Sequence, residues 1–138
     1  MKARRFFAAL TAFAVLLFAP PLHAKDGEEF RASIGPDGVQ RVDVEAGSYY
    51  FKPEHIVVKA HAPVQVKIRE DSRFVPHNFK IDAPEAGMDV SIDLSREPQV
   101  IRFTPTKPGR YPFYCDNKFL FFKSHRKKGM EGTIEIVE

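Results

Sequence analysis

The chain contains one cysteine, Cys115, which closes the strand-like run Tyr111-Pro112-Phe113-Tyr114-Cys115. His125 and Met130 follow it, and His77 stands upstream in Pro76-His77-Asn78-Phe79. A thiolate and two imidazoles in a plane, with a weak thioether on the axis, are the donors that favour a single copper of the blue, electron-transferring kind. Asn78, beside the first imidazole, is placed to tie two ligand-bearing loops together by hydrogen bonding. Met88 is the alternative thioether. An oxygen donor from Glu70 or Asp71 would turn such a site towards substrate chemistry. His55 and His61 have no soft partner nearby and read as surface residues.

Strand alternation determines whether these donors converge, because successive side chains of a strand point to opposite faces. Tyr111, Phe113 and Cys115 share a face, as do His77, Phe79 and Ile81. Ile134 and Ile136 define an apolar face that extrapolates back through Gly132 to Met130. Cys115, His77 and Met130 therefore all point to the core side, whereas His125 lies in an irregular stretch where alternation is silent.

The supporting elements follow from the same periodicity. Short alternating apolar runs separated by Pro, Gly, Asp and Ser predict strands near 39–45, 49–52, 55–60, 63–70, 77–82, 89–94, 98–104, 110–115 and 131–137. This many short strands predict an all-β, two-sheet antiparallel sandwich. The stretch 116–128 breaks the pattern. Asp116 or Asn117 can cap a short helix there, Phe119 and Phe122 share one face of it, and Gly129 is placed to end it.

The N-terminus reads as an address. Lys2, Arg4 and Arg5 precede an apolar stretch at 6–19, Pro20 and Pro21 break it, and Leu22-His23-Ala24 offers a small residue for cleavage. Residues 1–24 are thus expected to be a signal peptide removed after Ala24, placing the protein in the periplasm or outside the cell. No cysteine lies at the junction, so lipoprotein anchoring is not expected, and with the leader removed no stable membrane anchor is expected. Residues 25–38 read as an N-terminal arm with a Gly-Pro-Asp-Gly turn, and 39–138 as a single domain. The full chain carries a net charge of +3, but losing the leader's three cations leaves eighteen charges of each sign. That balance argues against a nucleic-acid partner. An unpaired cysteine in an oxidising compartment calls for a reason: metal ligation, intermolecular pairing or inert burial.

Over Tyr50-Phe51-Lys52-Pro53, Ile56-Val57-Val58-Lys59, Pro76-His77-Asn78-Phe79, Pro108-Gly109-Arg110-Tyr111 through Cys115, and Gly129-Met130-Glu131-Gly132-Thr133-Ile134, in that order, the chain resembles the cupredoxins, the plastocyanin and azurin family of small copper proteins. The resemblance implies a Greek-key sandwich with one copper near one end, cycling between Cu(I) and Cu(II). It implies His77, Cys115 and His125 as equatorial ligands with Met130 axial. The role it implies is electron carriage between redox partners by a protein that is not itself an enzyme, and a monomer is expected. The chain departs from the family in its ligand loop: nine residues separate Cys115 from His125, more than is usual. A long ligand arm eases metal entry and release, which favours the alternative role of copper binding or sequestration for tolerance or delivery. Within the loop, Phe119, Phe121 and Phe122 flank Leu120 and are ringed by Lys118, Lys123, Arg126, Lys127 and Lys128. These aromatics either pack the loop onto the sandwich or form a docking face around His125 for an acidic redox partner.

Overall fold

Each alternating run becomes a strand in the structure, a computed structural model that describes residues 28–72 and 74–138. The expected signal peptide lies outside the described residues. The strands are β1 (Glu29–Arg31), β2 (Gln40–Gly47), β3 (Tyr50–Lys52), β4 (His55–Lys59), β5 (Val64–Glu70), β6 (Asn78–Ala83), β7 (Met88–Asp93), β8 (Gln99–Phe103), β9 (Gly109–Tyr114) and β10 (Glu131–Val137). In β2, Val42, Val44 and Ala46 are buried while Arg41 and Asp43 face water; in β5, Val64, Val66 and Ile68 are buried while Lys67 and Arg69 are not. Within the stretch read as an arm, Glu29–Arg31 pairs with β4 as an edge strand.

The strands form a six-stranded sheet in the order β1-β4-β10-β9-β6-β7 and a four-stranded sheet in the order β3-β2-β5-β8. The expected all-β, two-sheet sandwich is present, with one amendment to its antiparallel pairing: both sheets are mixed, since β1 with β4, β4 with β10, and β2 with β5 run parallel. Alternation reports which face a residue takes but not the direction of the neighbouring strand. The expected helix in 116–128 is also corrected. Phe122 N–H donates to the Phe119 carbonyl at 3.0 Å, closing a turn rather than a helix. The helical piece of this segment is one 3-10 turn at Arg126–Lys128, ended by Gly129 at φ 101°.

Gln40 links the two sheets at one side of the core. It is fully buried in β2, and its amide accepts from Lys59 N–H at 2.6 Å and donates to the carbonyls of Lys59 and Ala62 at 3.0 and 3.2 Å. Elsewhere the sheets meet through Phe51, Phe79 and Phe113, whose ring centroids lie 5.4–5.6 Å apart in edge-on and stacked contacts. Each ring stands two residues from Tyr49, His77 or Cys115, so this cluster forms the floor on which the candidate donors rest. Gly132 faces Phe113 across the β9–β10 pair and leaves room for its ring: a Cβ there would come within 2.2 Å of that ring and 2.6 Å of the Glu54 carbonyl. Gly132→Ala should therefore destabilise the fold by about 1–3 kcal/mol, measurable as a lower urea midpoint with an unchanged m-value.

Candidate metal centre

β6 and β9 are antiparallel neighbours, with Ile81 opposite Phe113. His77 immediately precedes β6 and Cys115 immediately follows β9, so strand pairing alone brings the first imidazole and the thiol to the same end of the sandwich. The backbone N–H of Asn78 points at Cys115 Sγ, 3.4 Å away. The Asn78 side chain donates to Asp116 at 2.6 Å and accepts from Asp116 N–H at 3.0 Å. Lys80 holds the other oxygen of that carboxylate at 2.9 Å. Asn78 thus ties the two donor-bearing segments together, with Asp116 as its partner.

His125 arrives from the long loop, which two asparagine contacts fold back onto the sandwich. Asn117 donates its side-chain amide to the Pro76 carbonyl at 3.0 Å and accepts His125 N–H on its own carbonyl at 2.9 Å. Met130 is fully buried; its N–H donates to the His125 carbonyl at 3.0 Å and its carbonyl accepts Cys115 N–H at 3.1 Å. Met88 pairs with Ala83, at the end of β6 remote from His77. Glu70 is buried, and burial pushes its carboxyl up, but it does not belong to the donor cluster, and Asp71 is exposed. His55 is half-buried between Glu29 and Glu135, and His61 is exposed.

Among the described residues, His77, Cys115 and His125 form the one cluster able to hold a metal ion, and all three are buried. His77 Nδ1 lies 3.0 Å from His125 Nδ1, and Cys115 Sγ lies 3.8 and 3.4 Å from these two atoms. A triangle with these sides has its centre about 2 Å from each corner, close to a metal–imidazole bond length. The three donors therefore fit a single ion with no change of position beyond what a longer metal–sulfur bond requires. His77 Nε2, on the far side of its ring, is buried with no hydrogen-bond partner among the described residues. Nδ1 is thus the atom through which His77 interacts.

Burial dominates the electrostatics. It pushes the Cys115 thiol up, against the opposing effect of backbone N–H groups at Asn78 and Asn117. It pushes His77 down to about 4, with His125 adding to the shift, and lowers His125 as well, with Lys128 adding. Every donor is held towards its neutral form, so a cation at the centre would supply the charge that the thiolate needs.

Tyr49, Asp116 and Asn117 complete the site; the sequence marks Asp116 and Asn117 only as candidate helix caps and does not mark Tyr49. Tyr49, at φ 66°, presents an edge-on contact to both imidazoles, with centroids 5.0 Å from His125 and 6.0 Å from His77. Lys128 lies 4.3 Å above the Tyr49 ring and donates to its hydroxyl at 3.1 Å. A polar residue directly after Cys115 was the available signal for the Asp116 clamp, whereas nothing local marks Tyr49. Of the loop aromatics, Phe119 and Phe122 line a cleft beside His125 with Tyr49, Phe74 and Lys128, and Phe121 lies outside it. These rings stack on one another and stay 67%, 85% and 52% exposed at 119, 121 and 122, so they do not pack the loop onto the sandwich.

The lowered His77 pKa sets an acid limit on the metal-free fold. Its folded value of about 4 lies below the unfolded 6.5, so protons favour the unfolded chain. The contribution is complete above pH 6.5 and is lost as the pH falls towards 4. Urea unfolding of metal-free protein should lose about 3 kcal/mol across that window, and His77→Gln should remove most of the loss.

The cupredoxin-like domain family matches the chain over residues 8–134. No curated protein sequence matches it. Among solved structures, the metal-binding domain of the Streptococcus pneumoniae D39 Cu(I)-exporting P-type ATPase CopA with Cu(I) superposes with a TM-score of 0.59 at 23% identity, over 80% of this chain and 97% of that one. Dithionite-reduced auracyanin from Roseiflexus castenholzii gives 0.58 at 18%, over 78% and 99%. The periplasmic domain of cytochrome oxidase subunit II from Bradyrhizobium japonicum gives 0.52 at 16%, over 71% and 83%. At these identities the structural likeness establishes the fold alone. With the family match and the buried His–Cys–His triangle, the conclusion is that this chain belongs to the cupredoxin-like family, and its cluster fits a type 1 site for one copper.

Proposed function

We propose that the chain is an exported one-electron carrier in which His77 Nδ1, Cys115 Sγ and His125 Nδ1 would hold copper, with the Met130 thioether as a further, weaker donor. The observation that carries this reading is the donor triangle, shut away from water and already of metal size. Bound copper supplies a one-electron couple. The protein's contribution is rigidity and dryness. Strand pairing holds His77 and Cys115, the Asn78–Asp116 clamp prevents their segments from separating, and Phe79 and Phe113 keep water from below. Donors held in this way need little rearrangement between oxidation states. His125 borders the cleft formed by Tyr49, Phe119 and Phe122, so a redox partner would approach there, drawn by Lys118 and Lys128 through its carboxylates. Export rests on the basic-then-apolar leader and cleavage after Ala24; among the described residues, no helix is long and apolar enough to cross a membrane.

One observation favours a second reading, copper sequestration or delivery. The segment that carries His125 is exposed from Lys118 to Lys123, so one donor rides on an arm with little packing. Tight Cu(I) binding with rapid hand-over and slow electron self-exchange would favour this role over electron carriage.

Protein loaded with Cu(II) should show an intense thiolate-to-copper charge-transfer band in the visible. Cys115→Ser should abolish that band, and a colourless wild-type adduct would refute the proposed centre.

A further inference from the structure

The tip of the long loop is an apolar block of which the electron-transfer reading uses only Phe119 and Phe122, where they line the cleft beside His125. Phe119, Leu120, Phe121 and Phe122 are 67%, 66%, 85% and 52% exposed. Single exposed apolar residues are ordinary, but four in succession are not. The Phe122 ring stacks on Phe121 at 5.1 Å and on Phe119 at 6.2 Å, so the side chains form one convex body. The Phe119–Phe122 hydrogen bond closes a turn whose corners are Leu120 and Phe121, and Leu120 takes φ 48°. Such corners usually hold Gly, Asn or Asp, which tolerate that backbone and prefer water. Here the chain places two large apolar residues, Leu120 and Phe121, at the exposed corners of the turn, in a conformation that a leucine disfavours.

The charge around this block has one sign. From Asn117 to Met130 the sequence contains five cations and no acid. Arg126 pairs with Glu131 and stacks over Tyr114, and Lys128 is engaged with Tyr49. Lys118, Lys123 and Lys127 have no ion pair among the described residues. Lys118 and Lys123 flank the apolar tip on either side, where their aliphatic stems can run along apolar matter while the ammonium groups stay in water. This local excess of five cations stands against a net charge of −5 over the rest of residues 25–138, whose eighteen cations and eighteen acids balance only in total.

We propose that the Phe119–Phe122 tip is a reversible docking wedge for an anionic phospholipid surface, with Leu120 and Phe121 entering the headgroup–acyl boundary and Lys118, Lys123 and Lys127 meeting lipid phosphates. A bilayer yields to a convex apolar wedge, whereas a folded protein accepts one only by offering a matching hollow. Lysines are also depleted at the cores of protein interfaces but favoured beside a membrane-seated helix or loop. Docked in this way, the molecule would turn its His125 edge towards the membrane. The proposal goes beyond electron carriage and does not depend on metal.

The chain contains no tryptophan, so Phe121→Trp installs a single reporter at the tip. The test adds vesicles of phosphatidylcholine, with or without about a third phosphatidylglycerol, to metal-free F121W at low salt. Emission should shift to the blue with the anionic vesicles only and return when salt is raised. Val100→Trp, on the edge strand β8 of the other sheet, should not respond. In the F121W background, Lys118→Glu, Lys123→Glu and Lys127→Glu should each weaken the response about fivefold or more. Because the reporter reads the tip itself, attachment through the N-terminal apolar stretch does not register. An F121W signal unmoved by anionic vesicles, or an equal shift in V100W, would overturn the proposal. So would a shift produced by a soluble acidic protein but not by vesicles, because the tip would then be a protein-docking face. Circular dichroism of each variant confirms that it is folded, independently of whether the protein binds copper.

Discussion

Two imidazoles and a thiol are buried at one end of this sandwich with their donor atoms turned towards a common centre. Burial alone would penalise charge on any of them, and it leaves His77 Nε2 without a hydrogen bond among the described residues. Such a cluster is costly to maintain unless something positive completes it. Much of the surrounding structure serves this arrangement. The Phe51–Phe79–Phe113 floor excludes water from below, Gly132 provides space for one of those rings, and Tyr49 caps the imidazole edges.

The donors rest on two kinds of support. His77 and Cys115 are fixed by the β6–β9 pairing and by the Asn78–Asp116–Lys80 network, which couples the residue after each donor. His125 depends instead on a loop held at its base by Asn117 and continuous at its end with buried Met130. The stiff part of the site is encoded in strands. The adjustable part is encoded in the long segment between Cys115 and Met130.

That segment also divides its residues by role. Its two ends close the centre: Asp116 and Asn117 fasten one side, and His125 and Met130 return on the other. Its middle contributes little to the core and instead presents Phe119 to Phe122 outward among lysines. A shorter loop could still deliver a histidine, so the extra residues form a surface rather than a ligand. Residues 25–138, whose charges sum to zero, thereby carry a local cationic, apolar point beside the buried donors.

Much of this was legible in the residues. Alternation located nine of the ten strands nearly to their ends and placed Cys115, His77 and Met130 on buried positions, because a side chain's face is set by its own backbone two residues at a time. Gly129 marked where the helical turn ends, because a left-handed C-cap favours glycine. Other features depended on the assembled fold. The parallel pairings of β1, β4 and β10 and of β2 and β5 were hidden, since strand direction is a relation between distant segments. Tyr49 over the imidazoles, Asp116 as partner to Asn78 and the burial of His125 were hidden for the same reason. The sequence by itself determined which residues face inward and which donor types are present. Only the tertiary structure decided that two nitrogens and a sulfur from segments up to 48 positions apart meet at a metal-sized centre, because that meeting rests on long-range strand pairing and loop closure that no local pattern records.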